Sequence, residues 1–171
     1  MHKFLIKTEY LGLRFIRKED ITYLQGLDKD PEVKEFFPEG TLSNTEIKEF
    51  INYSLSSCKK KNLPCFVIFN LISNDFVGEA YFDELESGEI KVGYLFHKKY
   101  WNKGYATEVL TALFAWAKAH IDTDYIIAYA DKDNAASFHV MENCGMEYYK
   151  DGHFLGMDCM FYRIKLTPDD Y

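Results

Sequence analysis

Tyr100-Trp101-Asn102-Lys103-Gly104-Tyr105-Ala106-Thr107-Glu108 decides how this chain is read. The stretch joins residues 89–96 (Glu-Ile-Lys-Val-Gly-Tyr-Leu-Phe), which read as a strand, to residues 105–121, whose small and apolar side chains recur at helical spacing. A helix opening from a short loop leaves its first N–H groups without intrahelical acceptors and places the positive end of the peptide dipoles there. Such a junction attracts an anion without any basic side chain. Gly104 lets a ligand approach the backbone closely; the alternative is an ordinary loop glycine.

Downstream, Ala106, Val109, Leu110, Leu113 and Ala117 form a core-facing stripe that Trp116 extends. Residues 125–130 form the next apolar strand, and the intervening helix makes it parallel to strand 89–96 through a right-handed crossover. Asp133-Asn134 caps a further helix through Met141, which Gly145 ends, and residues 146–149 and 157–166 suggest a hairpin around Asp151-Gly152. Upstream, residues 11–17 read as a strand, followed by a short helix through Leu24 and Leu27 that Asp30-Pro31 interrupts. Ser43 and Glu46 make a capping box for a helix with Ile47, Phe50, Ile51 and Leu55 on one face. Residues 65–70 and 76–85 suggest an antiparallel hairpin about Ser73-Asn74-Asp75. Between the two helices, Phe36-Phe37-Pro38-Glu39-Gly40 either packs on the core or lines a site.

Composition narrows the class. A chain of 171 residues, 47% hydrophobic and 27% charged, suits one globular domain spanning residues 1–171, and no repeat or linker divides it. No apolar run reaches the roughly 20 residues of a membrane span and no secretory leader is evident, so a cytoplasmic protein without membrane contact is expected. A net charge of −7 disfavours nucleic acid as a partner and tolerates a cationic one. Cys58, Cys65, Cys144 and Cys159 lack metal-ligand spacing, so reduced thiols and no metal are expected. The phosphate-binding patterns G-x-x-x-x-G-K-[ST] and G-x-G-x-x-G are absent.

The loop, followed by a helix, a strand and then Asn134-Ala135-Ala136-Ser137 with Gly145-Met146, resembles the GNAT acetyltransferases, in particular the RimJ/RimL-type branch. That family's Q/R-x-x-G-x-G/A loop is matched by Gly104 and Ala106, while Trp101 stands in place of Gln or Arg, a departure familiar in that branch. Leu11-x-Leu-Arg14 and residues 158–162 also look like it. The resemblance implies an α+β fold: a mixed, mostly antiparallel seven-stranded sheet with a parallel, splayed central pair and about four helices. It implies acetyl-CoA as co-substrate, with pyrophosphate on the backbone of Asn102, Lys103, Gly104, Tyr105, Ala106 and Thr107. Pantetheine would lie along Val92, Tyr94 and Leu95, with Asn134 reaching its arm or simply capping a helix.

Acetyl transfer to an amine requires a base, an oxyanion donor and a proton for the departing thiolate. Glu89 is the first candidate base and Glu79 the second, each with the alternative of a plain surface charge. A backbone N–H near Tyr94 and Leu95 would face the oxyanion. Many family members carry a thiolate-protonating Tyr seven residues after the motif Asn; Met141 stands there, which shifts the role to Ser137 and keeps Tyr94 and Tyr148 as candidate donors. His139 projects from another face. By the same resemblance Phe36, Phe37 and Glu39, with residues 153–157, border the acceptor. The acceptor is then a primary amine such as a protein N-terminus or a polyamine, and a homodimer stays open. The competing reading is a non-catalytic acyl-CoA sensor that keeps the loop without the proton chemistry.

Overall fold

The computed structural model describes residues 2–166. Its eight strands are β1 (Ile6–Lys7), β2 (Leu11–Phe15), β3 (Cys65–Asn70), β4 (Phe76–Glu84), β5 (Ile90–Phe96), β6 (Tyr125–Asp131), β7 (Glu147–Phe154) and β8 (Met157–Lys165). They form one sheet in the order β1-β2-β3-β4-β5-β6-β8-β7. The helices are α1 (Ile21–Asp28), α2 (Asn44–Lys61), α3 (Tyr105–His120) and α4 (Ala135–Asn143). No described helix is long and apolar enough to cross a membrane.

The expected seven strands become eight because β1 has two residues, pairing Ile6 with Leu13 and Lys7 with Gly12, and so shows no periodicity to read. The last hairpin also needs correction. Its turn is Leu155-Gly156, both at positive φ (49° and 80°), whereas Asp151 and Gly152 lie inside β7 opposite Met160 and Cys159. Gly152 is there for contact: a Cβ on it would sit 2.3 Å from the Phe161 ring. An Asp-Gly pair suits a turn locally, and cross-strand packing overrides that preference.

The sheet is covered on both faces, which explains why β3 reads as a continuous apolar run rather than an alternating one. Phe66 and Ile68 face α3 and α4, packing with Leu110, Leu113 and Trp116, while Cys65, Val67 and Phe69 face α1 and α2, packing with Leu24, Ile47 and Ile51. Trp116 stacks on Phe82 at 5.7 Å and meets Phe66 edge-on, so the expected stripe on α3 does include it. The Ser43–Glu46 capping box forms as expected, and all four cysteines are free.

Arg14 on β2 is locked to Asp20 by two hydrogen bonds of 2.8 and 2.7 Å, and the Asp20 carboxylate also accepts the Arg17 N–H at 2.7 Å. Arg14 and Asp20 are buried, at 4% and 2% exposure. Removing one member of such a pair strands a buried charge, so Asp20→Ala is expected to cost about 3–5 kcal/mol of unfolding free energy in urea denaturation. A loss under about 1 kcal/mol would mean that water reaches Arg14 and screens it as on a surface.

The feature that positions the site is the β5–β6 pair, the sheet's one parallel junction. Only Ile90–Ile126 and Lys91–Ile127 are in register there. Beyond them β5 stays paired to β4 as far as Phe96, and β6 stays paired to β8 as far as Asp131. The two strands therefore part after Lys91, leaving backbone edges that face each other across a gap.

Candidate active site

At the wide end of that gap the chain turns into α3. Gly104 is the residue before the helix, with φ of 80°, and Asn102 also has positive φ, 61°. A Cβ built on Gly104 meets no atom within 4 Å, so the backbone there faces open space. The N–H groups of the first turn of α3 have no acceptor within the helix. The site therefore fits an anionic pyrophosphate by backbone geometry alone. Trp101 anchors the loop: its indole N–H donates to the Phe96 carbonyl at 2.9 Å, tying the loop to the last residue of β5. This supplies a physical reason for Trp at a position where the resembled loop pattern has Gln or Arg.

A cleft of about 880 Å³ runs from this loop into the gap. Val92, Tyr94, Leu95, Asn102, Gly104, Tyr105, Ala106, Thr107, Asn134 and Ser137 all line it, as do Phe36, Phe37 and Glu39. Lys103 does not; it is exposed beside the loop. Across the gap the Tyr94 hydroxyl and Ser137 Oγ are hydrogen-bonded at 2.8 Å. Burial pushes the Tyr94 phenol up to about 12, with the Ser137 hydrogen bond opposing the rise, so the ring keeps its proton at neutral pH. Asn134 Oδ1 accepts the Ser137 N–H at 3.2 Å, capping α4 while the residue also lines the cleft. His139 is exposed at the cleft wall, and Tyr148 points elsewhere, its hydroxyl donating to Asp151 at 3.0 Å.

The first-choice base is not brought to this place. Glu89 precedes β5 at its paired end, lines neither cavity, and accepts from the Tyr149 hydroxyl at 2.6 Å and the Ser87 hydroxyl at 2.9 Å. The Tyr149 hydrogen bond, with help from Ser87 and Lys150, holds its carboxyl below the usual range and makes it a weak proton acceptor. Glu79 is the carboxylate that the fold turns inward. It sits on β4 opposite Leu95, is 3% exposed, and faces α1 and α2 rather than α3.

Glu79 lines a second cavity, of about 450 Å³, together with Asp28, Lys34, Phe50, Ser57 and Asp83. The two cavities share Phe37, Glu39, Tyr81, Lys91 and Leu95 as lining. Tyr81 crosses Gly93 so closely that a Cβ there would lie 2.4 Å from its ring, which is why β5 carries glycine at that point. Lys91, at the last paired position, reaches the Tyr129 hydroxyl at 3.1 Å and lies over the rings of Tyr81 and Tyr129. Burial is the chief cause of raised carboxyl pKa values here. Asp28 rises to about 6 against the pull of Lys34, and Glu79 rises well above the usual range with the Asp28 charge adding to it. Asp28, Lys34, Tyr81 and Lys91 carried no sequence signal, since each is a single polar or aromatic side chain whose neighbours come from distant segments.

The model of the acetyltransferase (GNAT) domain matches residues 10–147. The chain belongs to the GNAT acetyltransferase family. It is 25% identical over 150 residues to YnaD of Bacillus subtilis strain 168, an N-acetyltransferase itself uncharacterized, covering 87% of this chain and 85% of that protein. A solved GNAT-family acetyltransferase from Bacillus anthracis superposes with a TM-score of 0.79 at 27% identity, over 94% of this chain and 98% of that one. Spermidine N-acetyltransferase from Vibrio cholerae, solved with CoA and spermine, has the same fold at a TM-score of 0.78 and 16% identity, over 91% and 95% of the two chains. As a GNAT enzyme the chain is an acyltransferase that moves an acetyl group from acetyl-CoA to an amine.

Proposed function

We propose that the splayed gap is the acetyl-transfer site of a primary-amine N-acetyltransferase, with donor and acceptor entering from opposite faces of the sheet. The backbone N–H groups from Asn102 to Thr107 hold the pyrophosphate, and the free edge of Val92 to Leu95 pairs with the pantetheine amides. Acetyl-CoA supplies the activated thioester. Glu79 takes the proton that the attacking amine must lose as its nitrogen bonds to the acetyl carbon. Ser137, backed by Tyr94, gives a proton to the sulfur as the carbon–sulfur bond breaks. A backbone N–H of Tyr94 or Leu95 steadies the charge on the carbonyl oxygen.

The observation that carries this reading is the shared wall. On one side of Tyr81 and Leu95 lies the Tyr94–Ser137 hydroxyl pair, and on the other lies buried Glu79. Proton donor and proton acceptor thus flank the place where the strands part. Met141 is 1% exposed and stands where many family members carry a Tyr, and the hydrogen-bonded Tyr94–Ser137 pair lines the same cleft.

Thiol release from acetyl-CoA in the presence of primary amines tests the reading. Ser137→Ala is expected to lower kcat by about 10²-fold, with Tyr94→Phe smaller, while the dissociation constant for CoA stays within about twofold. A double variant that retained full kcat would remove the hydroxyl pair from the chemistry.

A further inference from the structure

Among the described residues, three buried side-chain oxygens have no hydrogen-bond partner: Asp28 Oδ2, Ser57 Oγ and Glu79 Oε2. All three residues line the second cavity, although they come from α1, α2 and β4. Asp28 and Glu79 are 2% and 3% exposed. A buried polar atom left without a partner costs on the order of 1–3 kcal/mol, and here three such atoms belong to residues that line one cavity, so a donor-rich ligand entering it would satisfy them. A primary ammonium carries three N–H donors and no acceptor.

We propose that the second cavity binds a diammonium acceptor, its reacting amine held by Asp28, Ser57 and Glu79 and its other cation held by the carboxylates at the mouth. This rests on the transfer reading above, since it puts that amine beside the wall shared with the donor cleft. Six carboxylates line the cavity, Asp28, Glu39, Glu46, Glu49, Glu79 and Asp83, against two cations, Lys34 and Lys91. Lys34 is already committed, at 3.0 Å from Glu39 and 3.9 Å from Asp28, and Lys91 is turned to the Tyr129 hydroxyl. Glu39, Glu46 and Glu49 are exposed, so carboxyl groups run from the buried pair out to solvent. Between these poles Phe37, Phe50 and Leu95 offer apolar surface for a methylene chain.

Proton linkage gives the site a signature. Without ligand, burial favours the protonated form of Glu79, and the neighbouring Asp28 charge adds to this while Lys34 opposes it. The other ionisable groups lining the cavity are Tyr53 from α2, Tyr81 and Asp83 from β4, Lys91 from β5 and the three glutamates at the mouth. An entering ammonium stabilises the carboxylate form, so binding shifts these carboxyls toward releasing protons to solvent. Asp28 does not face the donor cleft and acts as a positioning residue for the amine.

The test is calorimetric titration of 1,4-diaminobutane into the full chain saturated with CoA at pH 7, in two buffers of different ionisation enthalpy. Expected are saturable binding with net proton release, binding of 1-aminobutane at least 10-fold weaker, and at least 10-fold weakening of the diamine by Asp28→Asn. Ser57→Ala, which leaves every charge in place, is expected to weaken it several-fold and serves if the Asp28 variant does not fold. Absence of diamine binding in protein that still binds CoA, or equal affinity for the monoamine, or an unchanged affinity in the variants overturns the proposal. Acetyl transfer to a different amine under those outcomes would leave the donor-side reading standing, whereas loss of CoA binding or of all transfer would strike that reading instead.

Discussion

Glu79→Gln is expected to lower kcat by about 10²–10⁴-fold while leaving the affinity for CoA within about twofold. An alkylammonium, like a lysine side chain, has a pKa near ~10.4, and a carboxylate at its ordinary value near ~4.3 is a poor partner for taking its proton. Burial of Glu79 narrows that difference from the carboxylate side, which is the direction a base for an amine requires. Gln keeps the shape and the hydrogen-bonding capacity of the protonated acid and removes the titration. The same variant gives a stability check with a definite sign. A carboxyl whose folded pKa lies above its unfolded value contributes stability that is complete below the unfolded pKa and is lost as pH rises through the folded one. Glu79 is such a group, raised chiefly by burial, so Glu79→Gln is expected to melt higher than the parent at alkaline pH, with the gain shrinking as pH falls toward 5. A variant with unchanged kcat whose melting temperature still follows this pattern would leave Glu79 a buried acid with no part in proton transfer.

The difference between Glu79 and Glu89 shows where sequence reasoning stops. Glu89 stands at the start of the strand before the loop and Glu79 on the strand preceding it, and nothing in their neighbours along the chain shows which is buried. Burial decides: one residue of β4 points beneath α2, while Glu89 lies in the turn before β5, where Ser87, Tyr149 and Lys150 engage it. Backbone features were far more legible, because loop, cap and crossover depend on residues close together in the chain. Gly104, the Ser43–Glu46 box and the Asn134 cap appear as expected. Of the segments expected to border the acceptor, Phe36, Phe37, Glu39, Phe154 and Met157 line the cleft, and Phe37 and Glu39 line the second cavity as well. Asp28 and Ser57 were invisible, since what marks them is an unpartnered oxygen, a property that exists only once α1, α2 and β4 have packed.

Gly104→Val is expected to weaken CoA binding by at least about 100-fold, roughly 2.7 kcal/mol, with a smaller effect on folding. Two effects add. At φ of 80° a side chain with a Cβ is strained by about 1–2 kcal/mol, more for a β-branched residue, and relieving the strain moves the N–H groups that open α3. A bulky side chain also fills the space next to those groups, where the protein itself places no atom within 4 Å. Gly104→Ala separates the two, because it brings the strain with far less bulk. Its CoA affinity should fall by about tenfold or less, with a drop in melting temperature somewhat smaller than that of the valine variant. Were the glycine present only to turn the chain, both variants would melt lower and bind CoA as the parent does. A graded loss from Gly to Ala to Val, read by calorimetry with CoA alone, therefore reports on the pyrophosphate cradle without relying on turnover or on the identity of the amine.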